Sequence, residues 1–279
     1  MIKKMSVLIL AILYIFQSEC ICVQAQETIK LPILMYHQIS PNRNSWNDYV
    51  ISPEEFREDM EYINSLGWES IGIKDLLAWQ RGEFEMPEKP VMITFDDGFR
   101  SLIEYAEPVL EEFGYKGVAA IIGSLCDQNN SENQYPGEWD YLDWNDAMEI
   151  SKRGIMELQC HSWDLHSSKS NAGCAKRWGE TLQAYRRRLS EDLSKFISEF
   201  EKRKIDFCYT MAYPYGSYDR YTCDVVKDMG FDAAFTCTEK INILTGDPDE
   251  LYYLGRFNRP HGISSEKYFT NIKKSVDIE

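Results

Sequence analysis

The sequence predicts an α/β fold: a single domain arranged as a distorted (β/α) barrel, with its site at the C-terminal face of the strands. Three observations predict it. Apolar runs of strand length alternate with helical patterns from about residue 30 onward, the order expected of parallel strands wrapped by helices. The runs are apolar throughout, as in Val91-Met92-Ile93-Thr94-Phe95, which suits strands covered on both faces. Residues able to do chemistry follow directly after such runs, where barrels of this type carry their sites.

The elements can be placed in order. Ile33 to Tyr36 reads as the first strand. Ser52 then opens a helix as N-cap, with Pro53 in the first turn and Glu55 at the capping-box position. Phe56, Met60, Ile63 and Leu66 recur at helical spacing, and Gly67 ends the run. Ile71 to Gln80 looks like a further helix. Val91 to Phe95 is a strand, Leu102 to Phe113 a helix closed by Gly114, and Val118 to Ile122 a strand. Asp127 to Asp140 is polar and loop-like, Asp143 to Arg153 helical, and Met156 to Cys160 a strand. Glu180 to Arg203 is the longest helix. Phe207 to Tyr213 is a strand, Asp219 to Met229 a helix, and Ala233 to Thr236 a strand. Leu251 to Phe257 is expected as the last strand and Ser264 to Lys274 as a terminal helix. No internal repeat or linker interrupts the alternation.

The chain has 279 residues and a formal net charge of -15. That balance argues against nucleic acid and against docking on anionic membranes, and would tolerate a neutral or cationic glycan. Residues 1–25 have the form of an export signal: Lys3 and Lys4, an apolar run from Met5 to Phe16, and Val23-Gln24-Ala25 before a mature start at Gln26. The expected location is therefore secreted or cell-surface associated, with no membrane span after cleavage; the alternative is that the segment stays as an N-terminal membrane anchor. Six of the eight cysteines lie beyond this segment, with no Cys-x-x-Cys pair to suggest a structural zinc site. Cys160, Cys208 and Cys237 fall in apolar runs and read as small buried hydrophobes.

Three short pieces carry the chemistry. Asp96 and Asp97 follow a buried strand; adjacent carboxylates repel, and strand alternation points them in different directions, so they need not share a task. Alone, Asp-Asp-Gly is a common turn. His161 and His166 lie five apart, too far for neighbours on a helix face and suited to a strand end followed by a tight loop. A carboxylate and two imidazoles make a catalytic zinc-type site with coordination left open for water. Asp164, between the histidines, could bind metal but better suits orienting the loop. Tyr213-Pro214-Tyr215-Gly216 reads first as a turn, and functionally as a way to aim the Tyr215 N–H at a developing oxyanion. His37, at the end of the first strand, and His261 are rival proton donors. Trp139, Trp144 and Trp163 could stack on sugar rings, with core packing the plainer reading for Trp144.

Together the motifs resemble those of the NodB-like polysaccharide deacetylases, carbohydrate esterase family four, from about Leu31 to Phe257. The resemblance implies residues 26–279 as the catalytic domain, Asp96 as catalytic base, Asp97 with His161 and His166 as metal ligands, and the Tyr215 N–H in the oxyanion hole. The histidine spacing and the early Met35-Tyr36-His37 motif look like the branch that deacetylates poly-N-acetylglucosamine, where the proton donor is His37 by this correspondence. Where the family's third motif carries an arginine that tethers the base, this chain has Met211 and Ala212; Arg256 is the candidate replacement. The family's C-terminal motif with its acid histidine is not clear, which leaves His37 against His261 open.

The implied protein is a divalent-metal-dependent N-deacetylase of an N-acetylglucosamine-rich polysaccharide, acting as a monomer. Zn2+ is the expected cofactor, although the same ligands suit Co2+ or Ni2+. The alternatives are an O-acetyl esterase on xylan or cell-wall glycan, and an inactive glycan-binding protein.

Overall fold

The computed structural model describes residues 28–129, 140–166 and 173–277. The strands are β1 (Ile29–Leu31), β2 (Ile33–Tyr36), β3 (Gln38–Ile39), β4 (Val50–Ile51), β5 (Glu69–Ser70), β6 (Pro90–Phe95), β7 (Gly117–Ile121), β8 (Met156–Cys160), β9 (Thr210–Ala212), β10 (Ala233–Phe235), β11 (Asn242–Leu244) and β12 (Phe257–Asn258). The helices are α1 (Pro53–Ser65), α2 (Ile73–Gln80), α3 (Glu107–Phe113), α4 (Gly123–Gln128), α5 (Trp144–Arg153), α6 (Leu182–Arg203), α7 (Arg220–Asp228) and α8 (Ser265–Asp277).

The main sheet runs β10-β9-β8-β7-β6-β2-β12, every pair parallel, with β5 on the first residues of β6. Its two edges meet through one segment. Leu254 donates to the Ala234 carbonyl and accepts from the Thr236 amide, and a few residues later β12 pairs with β2. The sheet thus closes on itself through an irregular seam, the distorted barrel expected.

Register explains the continuous apolar runs. Ile33, Met92, Val118 and Ala120 join the cluster inside the barrel, while their neighbours Leu34, Ile93, Ala119 and Ile121 pack outward among the helices. Successive residues point to opposite faces and both faces are covered, so both sets must be apolar. The same register aligns the strand ends: Tyr36 pairs with Phe95, Cys160 with Ile121 and Met211. His37, Asp96, His161 and Tyr213 therefore emerge together.

The expected helix starts hold. Ser52 accepts from the Glu55 amide while Glu55 accepts from the Ser52 amide, and Asp143 and Asp219 cap their helices in the same manner. Between 102 and 113 the helix is not uniform. Leu102–Ala106 forms a π-helical turn before α3, where Pro108 has no N–H to return to the preceding turn.

One expectation fails. Leu251 to Phe257 is not a continuous strand: Pro248–Tyr253 forms a 3-10 helix, Leu254 makes a single bridge to Phe235, and a strand proper begins only at Phe257 and Asn258. Asp247-Pro248-Asp249-Glu250 is itself a helix start, with the Asp247 side chain accepting from the Asp249 amide. The antiparallel pair β1–β11 was also unexpected.

A buried ion pair fastens the outer layer. Arg259 donates to both Asp59 oxygens at 2.7 and 3.1 Å, and Tyr36 and Ser265 hydroxyls donate to the same carboxylate. It ties α1 to β2 and to the start of α8. The six cysteines of the described residues are unbridged, five of them buried; Cys237 is exposed, contrary to the sequence reading. No helix of the described residues is long and apolar enough to cross a membrane.

Candidate active site

Asp96 continues the inward-facing register of Met92 and Thr94. Its carboxylate is met by Arg256 in a two-point pair, Nη1 to Oδ1 at 2.6 Å and Nη2 to Oδ2 at 2.8 Å. The guanidinium is itself fully buried and positioned by its Nε–H donating to the Thr236 carbonyl at 3.1 Å and by Thr94 Oγ1 at 3.3 Å. Burial alone would raise the Asp96 carboxyl; the Arg256 charge outweighs it and holds the group well below the usual carboxylate range. The arginine missing beside Met211 and Ala212 is thus supplied from the barrel seam.

Asp97 leaves the strand at φ 71, and Gly98 follows at φ 77. A Cβ on Gly98 would lie 3.0 Å from the Ile121 side chain, so the turn needs glycine there in both conformation and space. The turn swings Asp97 toward the histidines.

The histidine loop is pinned from several sides. Ser162 sits at φ 70, and its hydroxyl accepts from the Leu165 amide. Asp192, on α6, accepts from the amides of Trp163 and Asp164 at 2.8 and 2.9 Å. Asp164 accepts from Ser124 Oγ, so it holds the loop and is not grouped with the ligands. Asp192 was not foreseen; no local motif marks a carboxylate that caps a loop from a distant helix.

Asp97, His161 and His166 bring their ligand atoms within 4.8 Å of one another. Asp97 Oδ1 lies 3.4 Å from His161 Nε2 and 3.2 Å from His166 Nε2, yet this buried oxygen has no hydrogen-bond donor. His161 Nδ1 is 2.9 Å from the Ala212 carbonyl, an acceptor that calls for the proton on Nδ1 and leaves Nε2 as a lone pair. A buried carboxylate oxygen facing an imidazole lone pair is unfavourable unless a cation lies between them. The donor set fits a divalent metal: two nitrogens, one oxygen, and a backbone carbonyl orienting one ring.

Tyr215 adopts φ 57 and ψ 15, the left-handed region, and its ring stacks on His166 at 4.3 Å. His37 packs edge-on to Tyr49 at 4.9 Å, and its buried Nδ1 lacks a partner. Burial pushes the His37 imidazole below its ordinary value, opposed by the nearby Asp96 and Asp97. His261 is engaged elsewhere: its Nδ1 is 2.7 Å from Glu55 Oε2, and its ring lies on Trp46.

The tryptophans play other parts. Trp144 and Trp163 lie parallel at 6.5 Å and pack against α6, under Arg203 and Lys195 respectively. Trp139 lies outside the described residues.

A family model described as polysaccharide deacetylase matches residues 84–234. A poly-β-1,6-N-acetyl-D-glucosamine N-deacetylase of Escherichia coli is 24% identical over 224 residues, 73% of this chain and 33% of that protein. The protein of the same name from Staphylococcus aureus is 26% identical over 232 residues, 82% of this chain and 73% of its own length. The chain therefore spans about a third of the Escherichia coli relative. Among solved structures, a de-N-acetylase from Aggregatibacter actinomycetemcomitans superposes with a TM-score of 0.70 at 21% identity, covering 88% of this chain and 99% of that one. IcaB from Ammonifex degensii gives 0.70 at 23% identity, covering 88% and 97%. These likenesses establish the barrel. The family match covers more than half of the sequence and spans the aspartate turn, the histidine loop and the tyrosine turn, and on that ground the chain belongs to the polysaccharide deacetylase family.

Proposed function

We propose that the protein is an exported, metal-dependent hydrolase that removes N-acetyl groups from an N-acetylglucosamine-containing polysaccharide, with residues 1–25 as its export signal. The observation that carries this reading is the Arg256–Asp96 pair, which keeps a buried carboxylate ionised on the same strand end as the Asp97, His161 and His166 cluster. The names of the sequence relatives support the amide and the glucosamine polymer as substrate.

In this reading Asp97, His161 and His166 hold the ion. When bound, it supplies Lewis-acid polarisation and lowers the pKa of water toward neutral. Asp96 accepts the proton of the attacking water, its oxygens aligned by Arg256. The Tyr215 N–H donates to the acetyl oxygen as negative charge builds there, a contribution of about 3–4 kcal/mol for one well-placed donor. His37 delivers a proton to the departing nitrogen, which an amide needs more than an ester because an amine leaves poorly unless protonated. Water adds across the amide, and acetate and a free amine result.

The test compares acetate release from a β-1,6-linked N-acetylglucosamine oligomer with release from acetyl-xylan, for the native chain and Asp96→Asn. Release from the amino-sugar oligomer alone, abolished in a variant that still binds metal, is expected. Release from acetyl-xylan alone points to an O-acetyl esterase, and an inert native protein would overturn both enzymatic readings.

A further inference from the structure

An imidazole in a site is ordinarily aimed by the hydrogen bond that its second ring nitrogen makes. His37 Nδ1 is buried and has no such partner among the described residues, and the ring it packs against, Tyr49, is itself exposed. The place of the His37 imidazole therefore depends on the strand end from which it hangs. That end is held from outside the barrel.

Strand alternation sends Tyr36 outward, against α1, and the next residue, His37, into the site. Phe95 stands in the same relation to Asp96, and the two outward rings stack at 5.6 Å. The Asp96 amide donates to the Tyr36 carbonyl at 2.9 Å, so proton donor and base leave one pair of strands. Asp59, on α1, grips that pair from outside. The Tyr36 hydroxyl donates to its Oδ2 at 3.0 Å and Arg259 Nε to the same oxygen at 2.7 Å, while Arg259 Nη2 and the Ser265 hydroxyl donate to Oδ1 at 3.1 and 2.7 Å. The Arg259 amide donates in turn to the Met35 carbonyl at 3.0 Å. Burial still lifts the Asp59 carboxyl above its ordinary value against these donors. An ion pair so deeply buried adds little net stability; what it fixes is geometry.

We propose that Asp59 is a positioning residue for the proton donor: through the Tyr36 hydroxyl and Arg259 it fixes the strand end that carries His37. Asp59 is fully buried, so it meets no substrate and acts only through these neighbours. Proton delivery to the departing nitrogen depends on alignment, and a displacement of about 1 Å costs about 10²-fold. An imidazole without a bond of its own to correct its aim passes any shift of its backbone directly to the reacting atoms. The inference rests on the deacetylase reading for the reaction it serves.

The test uses the full chain loaded with Zn2+, a β-1,6-linked N-acetylglucosamine oligomer, and an aryl acetate whose leaving group departs without a proton. Tyr36→Phe removes one hydroxyl and keeps the ring. It should lower kcat on the oligomer about three- to tenfold at unchanged KM and stay within about twofold of native on the ester. Asp59→Asn should show the same split more strongly; if it does not fold, Tyr36→Phe decides alone. In a His37→Ala background Tyr36→Phe should cost nothing further on the oligomer, because the group it positions is gone. No loss in Tyr36→Phe, an equal loss on amide and ester, or a loss that persists in full without His37 overturns the assignment and leaves the deacetylase reading intact. If the native chain releases no acetate from the oligomer, that reading falls, and the position of His37 is read directly. The chain has four histidines, and the imidazole C–H resonance that is missing from His37→Ala should shift in Tyr36→Phe while that of His261 stays in place. An unshifted His37 resonance overturns the assignment.

Discussion

Arg256 and Asp96 are 160 residues apart in sequence and share two hydrogen bonds at 2.6 and 2.8 Å, both side chains buried. The pair joins the seam of the barrel to the end of β6. Removing one member of a buried pair leaves an uncompensated charge, which costs about 3–5 kcal/mol. Arg256→Met should therefore lower the melting temperature and reduce kcat by roughly 10²-fold as the base loses its alignment. Its pH profile is the sharper measurement. Asp96 is held low by Arg256 against burial, so the stability it contributes is present above the unfolded carboxyl value and disappears as pH falls through the depressed one. Without the guanidinium, burial is opposed only by the neighbouring His161 and His37, and the acidic limb of the rate profile should move to higher pH. Arg256→Lys should recover part of the charge effect and little of the alignment.

Asp96→Asn and Asp97→Ala should separate cleanly. The first is expected to keep bound metal and lose turnover; the second should lose the metal, since its Oδ1 faces both imidazoles. Metal analysis of the two purified variants, beside chelation and restoration of the native protein with Zn2+, Co2+ or Ni2+, checks the division of labour. Loss of metal in Asp96→Asn would reverse it.

His37→Ala should reduce N-deacetylation about 10²- to 10³-fold. An acetyl ester with a good leaving group needs no proton from the enzyme and should be hydrolysed at a rate much closer to native. His261→Ala should leave turnover nearly unchanged, because that imidazole is held by Glu55 at the start of α1. Equal losses on amide and ester for His37→Ala would remove the acid role.

Asp192 supplies a prediction about pH and stability. Burial pushes its carboxyl up from an ordinary 3.8 to about 6. A group whose folded value lies above its unfolded value contributes most when protonated, and its contribution declines as pH rises through about 6. The rise of about two pH units, at roughly 1.4 kcal/mol each, corresponds to about 3 kcal/mol between acid and neutral pH. Asp192→Asn gives up one of two acceptors for the loop amides, a fixed cost at every pH, but removes this slope. The difference in stability between native and variant should therefore change in the variant's favour from pH 4 to pH 7, measurable by denaturant titration at each pH.

The legible parts of the sequence were those where local and global signals coincide. The strand at 91–95, the Ser52 cap and the aspartate and histidine turns each carry their structure in adjacent residues. Arg256 could be named as the arginine for Asp96 only through the resemblance, because an arginine was missing elsewhere; no local signal marks the contact, which depends on how the barrel closes. Leu251 to Phe257 misled because its apolar run outweighed the helix start at Asp247-Pro248 just before it. Of the aromatic rings named for sugar contact, Trp144 and Trp163 are partly buried against α6, under Arg203 and Lys195.

The seam has a consequence for how this molecule breathes. Its backbone bonds at Leu254, Thr236 and Arg256 join the strand edges at one irregular line, and the guanidinium that steadies Asp96 hangs from that same line. A fluctuation that unzips residues 254–256 also strips the carboxylate of its counter-ion. Amide exchange at those positions and reversible inactivation on warming should then share one opening free energy, so that losing activity and losing the barrel's closure are a single cooperative event.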